Sequence, residues 1–158
     1  MVNESIGTSE SEEKYMSEPL YGTYNPSIDA KGRMSFPNKL REILGAEFYL
    51  CIGHEKNYIA VYSVEEFGKY CGKLNEIPGD IGSEIRRKLL AGADKQIPDK
   101  QGRIFISQYL RNYAGITDEV TVIGNMNRAE IWNPAKLEES RQSVDLAAMK
   151  AALANLVL

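Results

Sequence analysis

The sequence predicts a mainly β fold with peripheral helices, an α+β arrangement in which two tandem copies of one unit close a small barrel. Three observations carry this: a turn motif written twice, hairpin-like segments after each turn, and the shortness of every expected strand. The first turn lies in "IDAKGRMSFP", Ile28 to Pro37, and the second in "PDKQGRIFIS", Pro98 to Ser107. At an offset of 70 positions Asp29 matches Asp99, Gly32 matches Gly102, Arg33 matches Arg103, Leu40 matches Leu110, Arg41 matches Arg111 and Gly45 matches Gly115. After a one-residue slip the match resumes at Asn57 with Asn127 and Tyr62 with Trp132. Each copy thus spans about 35 residues, enough for a duplicated supersecondary unit. A few short strands cannot hold an isolated sheet, whereas two copies closing a barrel remove the exposed edges.

Within each copy a short strand precedes the Asp-x-x-Gly-Arg turn and a second follows it, alternating in Met34-Ser35-Phe36 and apolar in Ile104-Phe105-Ile106. A helix of about two turns comes next, "NKLREILG" or "SQYLRNYAG". Asn38 and Ser107 are its expected N-caps, and Gly45 and Gly115 stand where a left-handed C-terminal cap is wanted. Then come two hairpins. "EFYLCIG" and "YIAVYS" flank His54 to Asn57, and "EVTVIG" and "AEIW" flank Asn125 to Arg128. Both are rich in the aromatic and β-branched residues that strands prefer. Each copy ends in a helix, opened by the Ser63-x-x-Glu66 capping box or by Asn133 before Pro134.

Between the copies, Ser83 to Ala93 reads as a helix with Ile85, Leu89 and Leu90 on one face and Arg86, Arg87 and Lys88 beside them. "VDLAAMKAALANLVL" at the C-terminus is an apolar helix that needs a surface from its own chain or a neighbour. The organisation is therefore a disordered acidic extension (1–20), repeat one (21–68), a helical linker (69–92), repeat two (93–137) and a C-terminal helix (138–158).

The net charge of −3 argues against a nucleic-acid partner until it is divided. The first 20 residues hold five glutamates against Lys14, and the rest has 18 basic and 17 acidic residues. The body is near neutral, so a basic face has to be local. With 158 residues, no long apolar run and two cysteines, the chain suits a cytoplasmic protein without membrane span or disulfide framework. Cys51 reads as a small core residue.

An enzyme finds few parts. The single histidine, His54, falls in a hairpin loop and forms no spaced metal-ligand set with Cys51 and Cys71. No phosphate-binding loop, nucleophile elbow or zinc-protease helix is present. Asp29 and Asp99 each sit near an arginine of their own turn, which favours ionisation of both, whereas acid–base work wants their pKa values pushed apart. No catalytic residue, cofactor, metal or small-molecule substrate is expected.

The repeated turns can do something else. Each Asp can accept hydrogen bonds from amides two residues on, and Gly32 and Gly102 can take positive φ. Arg33 and Arg103 then either pair with Asp29 and Asp99 or face a ligand, and both roles can hold together. Lys31 and Lys100 add charge to the turns, and Arg41 and Arg111 follow eight residues after each arginine. Arginine suits forked contacts with phosphate or guanine. The six basic residues Arg33, Arg103, Lys31, Lys100, Arg41 and Arg111 are the candidate DNA contacts. Asp29, Gly32, Asp99 and Gly102 are the turn supports.

"DAKGRMSFPNKLRE", "DKQGRIFISQYLRNYAGI", "EVTVIG" and "AEIW" resemble the MraZ family of bacterial transcriptional regulators over residues 21 to 142. The resemblance implies two SpoVT/AbrB-type swapped-hairpin modules packed as a pseudo-two-fold, double-psi-like β-barrel. It also implies a ring-like homo-oligomer that binds direct repeats of double-stranded DNA in the promoter of the division and cell-wall gene cluster, and hence a nucleoid-associated protein. The acidic extension departs from the usual family start. The competing reading is a protein-interaction module, an antidote-like partner built on the same barrel without DNA.

Overall fold

The computed structural model describes residues 18–157. The acidic extension expected to be disordered lies, through residue 17, outside the described residues. Leu20, near its end, is buried in the core and bridges to Met126.

The fold is α+β, with eight strands and six helices among the described residues. Repeat one contributes β1 (Thr23–Tyr24), β2 (Arg33–Ser35), α1 (Asn38–Leu44), β3 (Phe48–Ile52), β4 (Ile59–Ser63) and α2 (Val64–Asn75). Helix α3 (Gly79–Leu90) links it to β5 (Asp94–Gln96), β6 (Arg103–Phe105), α4 (Gln108–Ala114), β7 (Thr121–Asn125), β8 (Arg128–Trp132) and α5 (Pro134–Gln142). Helix α6 (Leu146–Leu153) follows.

Six strands form one antiparallel sheet in the order β1-β7-β8-β4-β3-β5. The copies exchange strands: β1 of repeat one lies on β7 of repeat two, and β5 of repeat two lies on β3 of repeat one. The sheet's middle ladder, β4 with β8, is centred on Ala60 opposite Glu130, a pair 70 positions apart. The remaining strands, β2 and β6, form a separate ribbon centred on Met34 opposite Ile104, again 70 apart. A pseudo-two-fold therefore runs through both ladders.

The expected closed barrel does not form, because the ribbon has no free edge with which to join the sheet. One edge of each ribbon strand pairs with the other strand. The outer edge is taken by the chain's own return: Ile28 bridges Met34, and the buried Gln96 side chain accepts the Phe105 N–H at 3.0 Å.

Strand alternation places different residues on the two faces of the sheet. Phe48, Leu50, Ile59, Val61, Val122 and Ile131 face the main core, which the ribbon caps with Met34 and Ile104 and the short helices with Leu40, Leu44 and Leu110. The opposite face carries Cys51, Ala60, Tyr62 and Trp132, packed against Phe67 and Tyr70 of α2 and Leu137 of α5. Cys51 is thus a buried core residue, and both cysteines are free thiols. Its burial pushes the Cys51 thiol up to about 12. The buried Glu130 accepts from Trp132 Nε1 at 2.9 Å, Arg128 Nε at 2.8 Å and Asn125 Nδ2 at 3.0 Å, so its burial is fully compensated.

Caps follow the sequence at four helix ends. Ser63 accepts from the Glu66 N–H, Ser107 from Leu110, and Asn133 from Ala135 and Lys136, while Gly115 closes α4 in the left-handed region. Two expected caps differ. Asn38 lies inside α1 with its oxygen turned to Arg41, and Gly45 has positive φ with an extended ψ of −174°. The expected linker helix starts earlier, at Gly79, and Arg86 leaves its basic trio to donate to the Leu74 and Ile77 carbonyls behind α2. Every residue of α6 is exposed, Leu146, Met149 and Leu153 included, so the described residues supply no surface for it. No described helix is long and apolar enough to cross a membrane.

Candidate nucleic-acid interface

The two turns are built from the same bonds. Asp29 Oδ1 accepts from the backbone N–H of Lys31 and of Arg33, each at 2.9 Å, and the Gly32 N–H closes on the Asp29 carbonyl at 3.0 Å. Asp99 Oδ1 accepts from Gln101 and Arg103, each at 2.9 Å, and Gly102 closes on the Asp99 carbonyl at 2.9 Å. The second carboxylate oxygen takes the arginine Nε, at 2.8 Å from Arg33 and 2.9 Å from Arg103. These bonds hold Asp29 and Asp99 below the usual carboxylate range. The backbone N–H of the arginine contributes most, followed by its side chain and the amide two residues on.

The choice between pairing inward and facing outward resolves as both. Each Asp engages only Nε, and the side chains of Arg33 and Arg103 stay 51% and 45% exposed. The outer edge of each guanidinium, Nη1 and Nη2, is the forked edge that suits phosphate or guanine. The carboxylate fixes the orientation of that fork and the ribbon fixes its position.

The ribbon sets out the rest of the face. Met34 and Ile104 point into the core, so residues 33, 35, 103 and 105 all point outward. Arg33 stands opposite Phe105, and Ser35 opposite Arg103. Lys31 and Lys100 are exposed on the turns, at non-equivalent positions.

Arg41 and Arg111 are half-buried and lie behind the turns, each against the turn of the other repeat. Arg111 Nε donates to the Ile106 carbonyl at 2.9 Å and its Nη2 to the Lys31 carbonyl at 3.4 Å. A Cβ on Gly32 would meet the Ile106 carbonyl at 2.5 Å and Arg111 Nε at 2.7 Å. Arg41 lies behind Gly102, where a Cβ would meet its Nη2 at 3.1 Å. Arg41 Nη2 is bonded to Asn38 Oδ1 at 2.7 Å, and its buried Nε has no hydrogen-bond partner. The position equivalent to Asn38 is Gln108, which bonds Asn112 instead and leaves Arg111 to reach the backbone. This crossing cannot be found by spacing alone, because it depends on the exchange of strands between copies.

Elsewhere, His54 is exposed in its hairpin loop, stacked beside Tyr70 at 6.1 Å between ring centroids. Among the described residues no three His, Cys, Asp or Glu side chains come together as a metal site. The larger surface pockets are open grooves, among them one of about 400 Å³ lined by Tyr62, Lys69, Tyr70 and Arg128.

Comparison with known proteins identifies a family. The family model "MraZ protein, putative antitoxin-like" matches residues 20–84 and again 89–156. The chain is 43% identical over 122 residues to the transcriptional regulator MraZ of Acetivibrio thermocellus, covering 75% of this chain and 84% of that one. It is 41% identical over 139 residues to the transcriptional regulator MraZ of Caldicellulosiruptor bescii, covering 83% and 95%. With the protein of the same name from Kocuria rhizophila it shares 38% identity over 128 residues, covering 80% and 89%. A duplicated Asp-x-x-Gly-Arg turn on a pseudo-two-fold sheet, matched by the family model over both copies, places this chain in the MraZ family of transcriptional regulators.

Proposed function

We propose that the chain is a sequence-specific regulator of transcription that binds double-stranded DNA through the ribbon and its two turns. One observation carries the reading: Arg33 and Arg103 each have Nε tied to a turn aspartate while the forked edge stays exposed on the outward face. A two-stranded ribbon fits the major groove, where arginine reads guanine O6 and N7. Lys31 and Lys100 add phosphate contacts, and Arg41 and Arg111 hold the turns in place from behind.

The target is a set of direct repeats in the promoter of the division and cell-wall gene cluster, and the protein acts in the cytoplasm on the nucleoid. A single near-neutral protomer binds weakly. A ring of protomers brings several ribbons to tandem repeats and raises avidity without new contacts. The bare apolar surface of α6 supports such self-association.

The test is an anisotropy titration with promoter DNA carrying the repeats. Replacing both arginines, Arg33→Ala with Arg103→Ala, is expected to cost about 1–3 kcal/mol per engaged site and to relax the sequence preference of binding. Folding should survive, because exposed ion pairs contribute little. Unchanged binding by the folded double variant sinks the proposal. The apolar α6 also supports the second reading, an antidote-like module that docks a different protein. A monomer in solution that binds no DNA would favour it.

A further inference from the structure

The four outward positions of the ribbon do not obey its own symmetry. The pseudo-two-fold through Met34 and Ile104 exchanges Arg33 with Arg103 and Ser35 with Phe105. Two arginines and two like residues would read a symmetric element. Instead one corner carries a hydroxyl and the other an aromatic ring, with Phe105 47% exposed beside Arg33. Nothing in the core needs that ring, since its neighbours Ile104 and Ile106 supply the buried contacts. Its backbone is held fast, with the Phe105 N–H bonded to the Gln96 side chain, which Asp94 also accepts from at 2.9 Å. Repeat one has no equivalent of this hold, because Pro26 stands where repeat two has Gln96.

We propose that Phe105 is a specificity-determining residue that reads the 5-methyl group of a thymine next to the guanine taken by Arg33. This rests on the DNA-binding reading above and deepens it. In the major groove the thymine methyl is the one apolar group among donors and acceptors, and an aromatic side chain is a suitable partner for it. Ser35, at the opposite corner, can donate or accept and so discriminates little. The ribbon then reads an element with a direction: thymine and guanine at the Phe105 end, guanine alone at the Arg103 end. A directional element matches direct repeats, in which every site points the same way. A symmetric ribbon would give each protomer two equivalent orientations on the DNA.

The full chain is used to select binders from a randomised duplex library, in parallel with Phe105→Ser and Phe105→Leu. Each selected duplex is then remade with deoxyuridine replacing thymine at one position at a time, which removes only the methyl group. The wild type is expected to lose roughly four-fold in affinity at one thymine per site, the worth of one buried methyl-sized group. Phe105→Ser should bind thymine and deoxyuridine equally and select a more symmetric motif, while Phe105→Leu keeps the preference. A wild type that enriches a motif but ignores every methyl overturns the proposal and leaves DNA binding standing, as does a Phe105→Ser variant that keeps the preference. A wild type that enriches no duplex overturns both.

Discussion

The two repeats make the same turn and support it differently. Turn for turn the bonds of Asp29 and Asp99 agree within 0.1 Å, although Ala30-Lys31 stands in one and Lys100-Gln101 in the other. Behind the turns the agreement ends. Arg111 donates to the Ile106 carbonyl of its own repeat and to the Lys31 carbonyl across the repeat boundary, whereas Arg41 is held by Asn38 with a buried Nε unpaired. The residues that face outward are under one geometric demand, to present the same guanidinium fork. The residues behind need only fill and bond a space, and more than one solution meets that need. The turn supported by Arg111, the first, is thus the more tightly packed of the two.

Glycine is where this difference should show most. Gly32 has φ +93° and Gly102 φ +78°, so alanine is strained at either, by roughly 1–2 kcal/mol. At Gly32 the added carbon also runs into the Ile106 carbonyl at 2.5 Å, which is backbone and cannot swing away. At Gly102 it meets only the end of the Arg41 side chain, at 3.1 Å. Urea unfolding should give a loss of about 2–4 kcal/mol for Gly32→Ala once overpacking is added, and about 1–2 kcal/mol for Gly102→Ala. Equal losses would mean that the two turns are packed alike.

The supporting arginines come next. Arg111→Met strips the Ile106 carbonyl of its side-chain donor and should cost about 1–3 kcal/mol. Arg41→Met removes a group whose buried Nε is already unsatisfied, and should cost under about 1 kcal/mol. Neither is expected to change the salt slope of DNA binding, since neither residue is assigned a phosphate, whereas Lys31→Ala should lower it by about one. A drop in slope for Arg111→Met would move that residue to the DNA face.

Much of this was legible in the sequence because duplication repeats local rules. The turn depends on an aspartate, a glycine and an arginine at fixed spacing, and all three positions can be read twice. The short helices and the caps at Ser107, Asn133 and Gly115 follow from local preference in the same way. What was not legible is non-local. Whether β1 pairs with its own hairpin or the other copy's changes no local pattern, so the crossing of Arg41 and Arg111 to opposite turns stayed hidden with it. The open sheet was missed for a related reason: edge occupation by Ile28 and Gln96 is decided by side-chain and bridge bonds that strand alternation does not encode. Asn38 was misread because a helix-start asparagine can cap its own helix or bond Arg41 one turn on, and here the arginine wins.

The smallest effect tests whether the turns themselves are as alike as their bonds. Asp29 and Asp99 both titrate below the ordinary value of 3.8. A carboxylate whose folded pKa is depressed adds stability that is present above its unfolded pKa and is lost as pH falls through the folded one. The turns should therefore be insensitive to pH from neutrality down to about 4 and loosen together below that. Carbon-detected NMR of the two carboxyl groups should place both midpoints below 3.8. Arg33→Ala then separates the causes. It removes the guanidinium but keeps the backbone N–H of residue 33, the larger contribution, so Asp29 should rise only part of the way and Asp99 should not move. A full return of Asp29 to 3.8 would show that the guanidinium, not the amide, sets the carboxylate. The turn would then depend on the same arginine it is proposed to offer to DNA, and binding would have to loosen the turn in order to engage it.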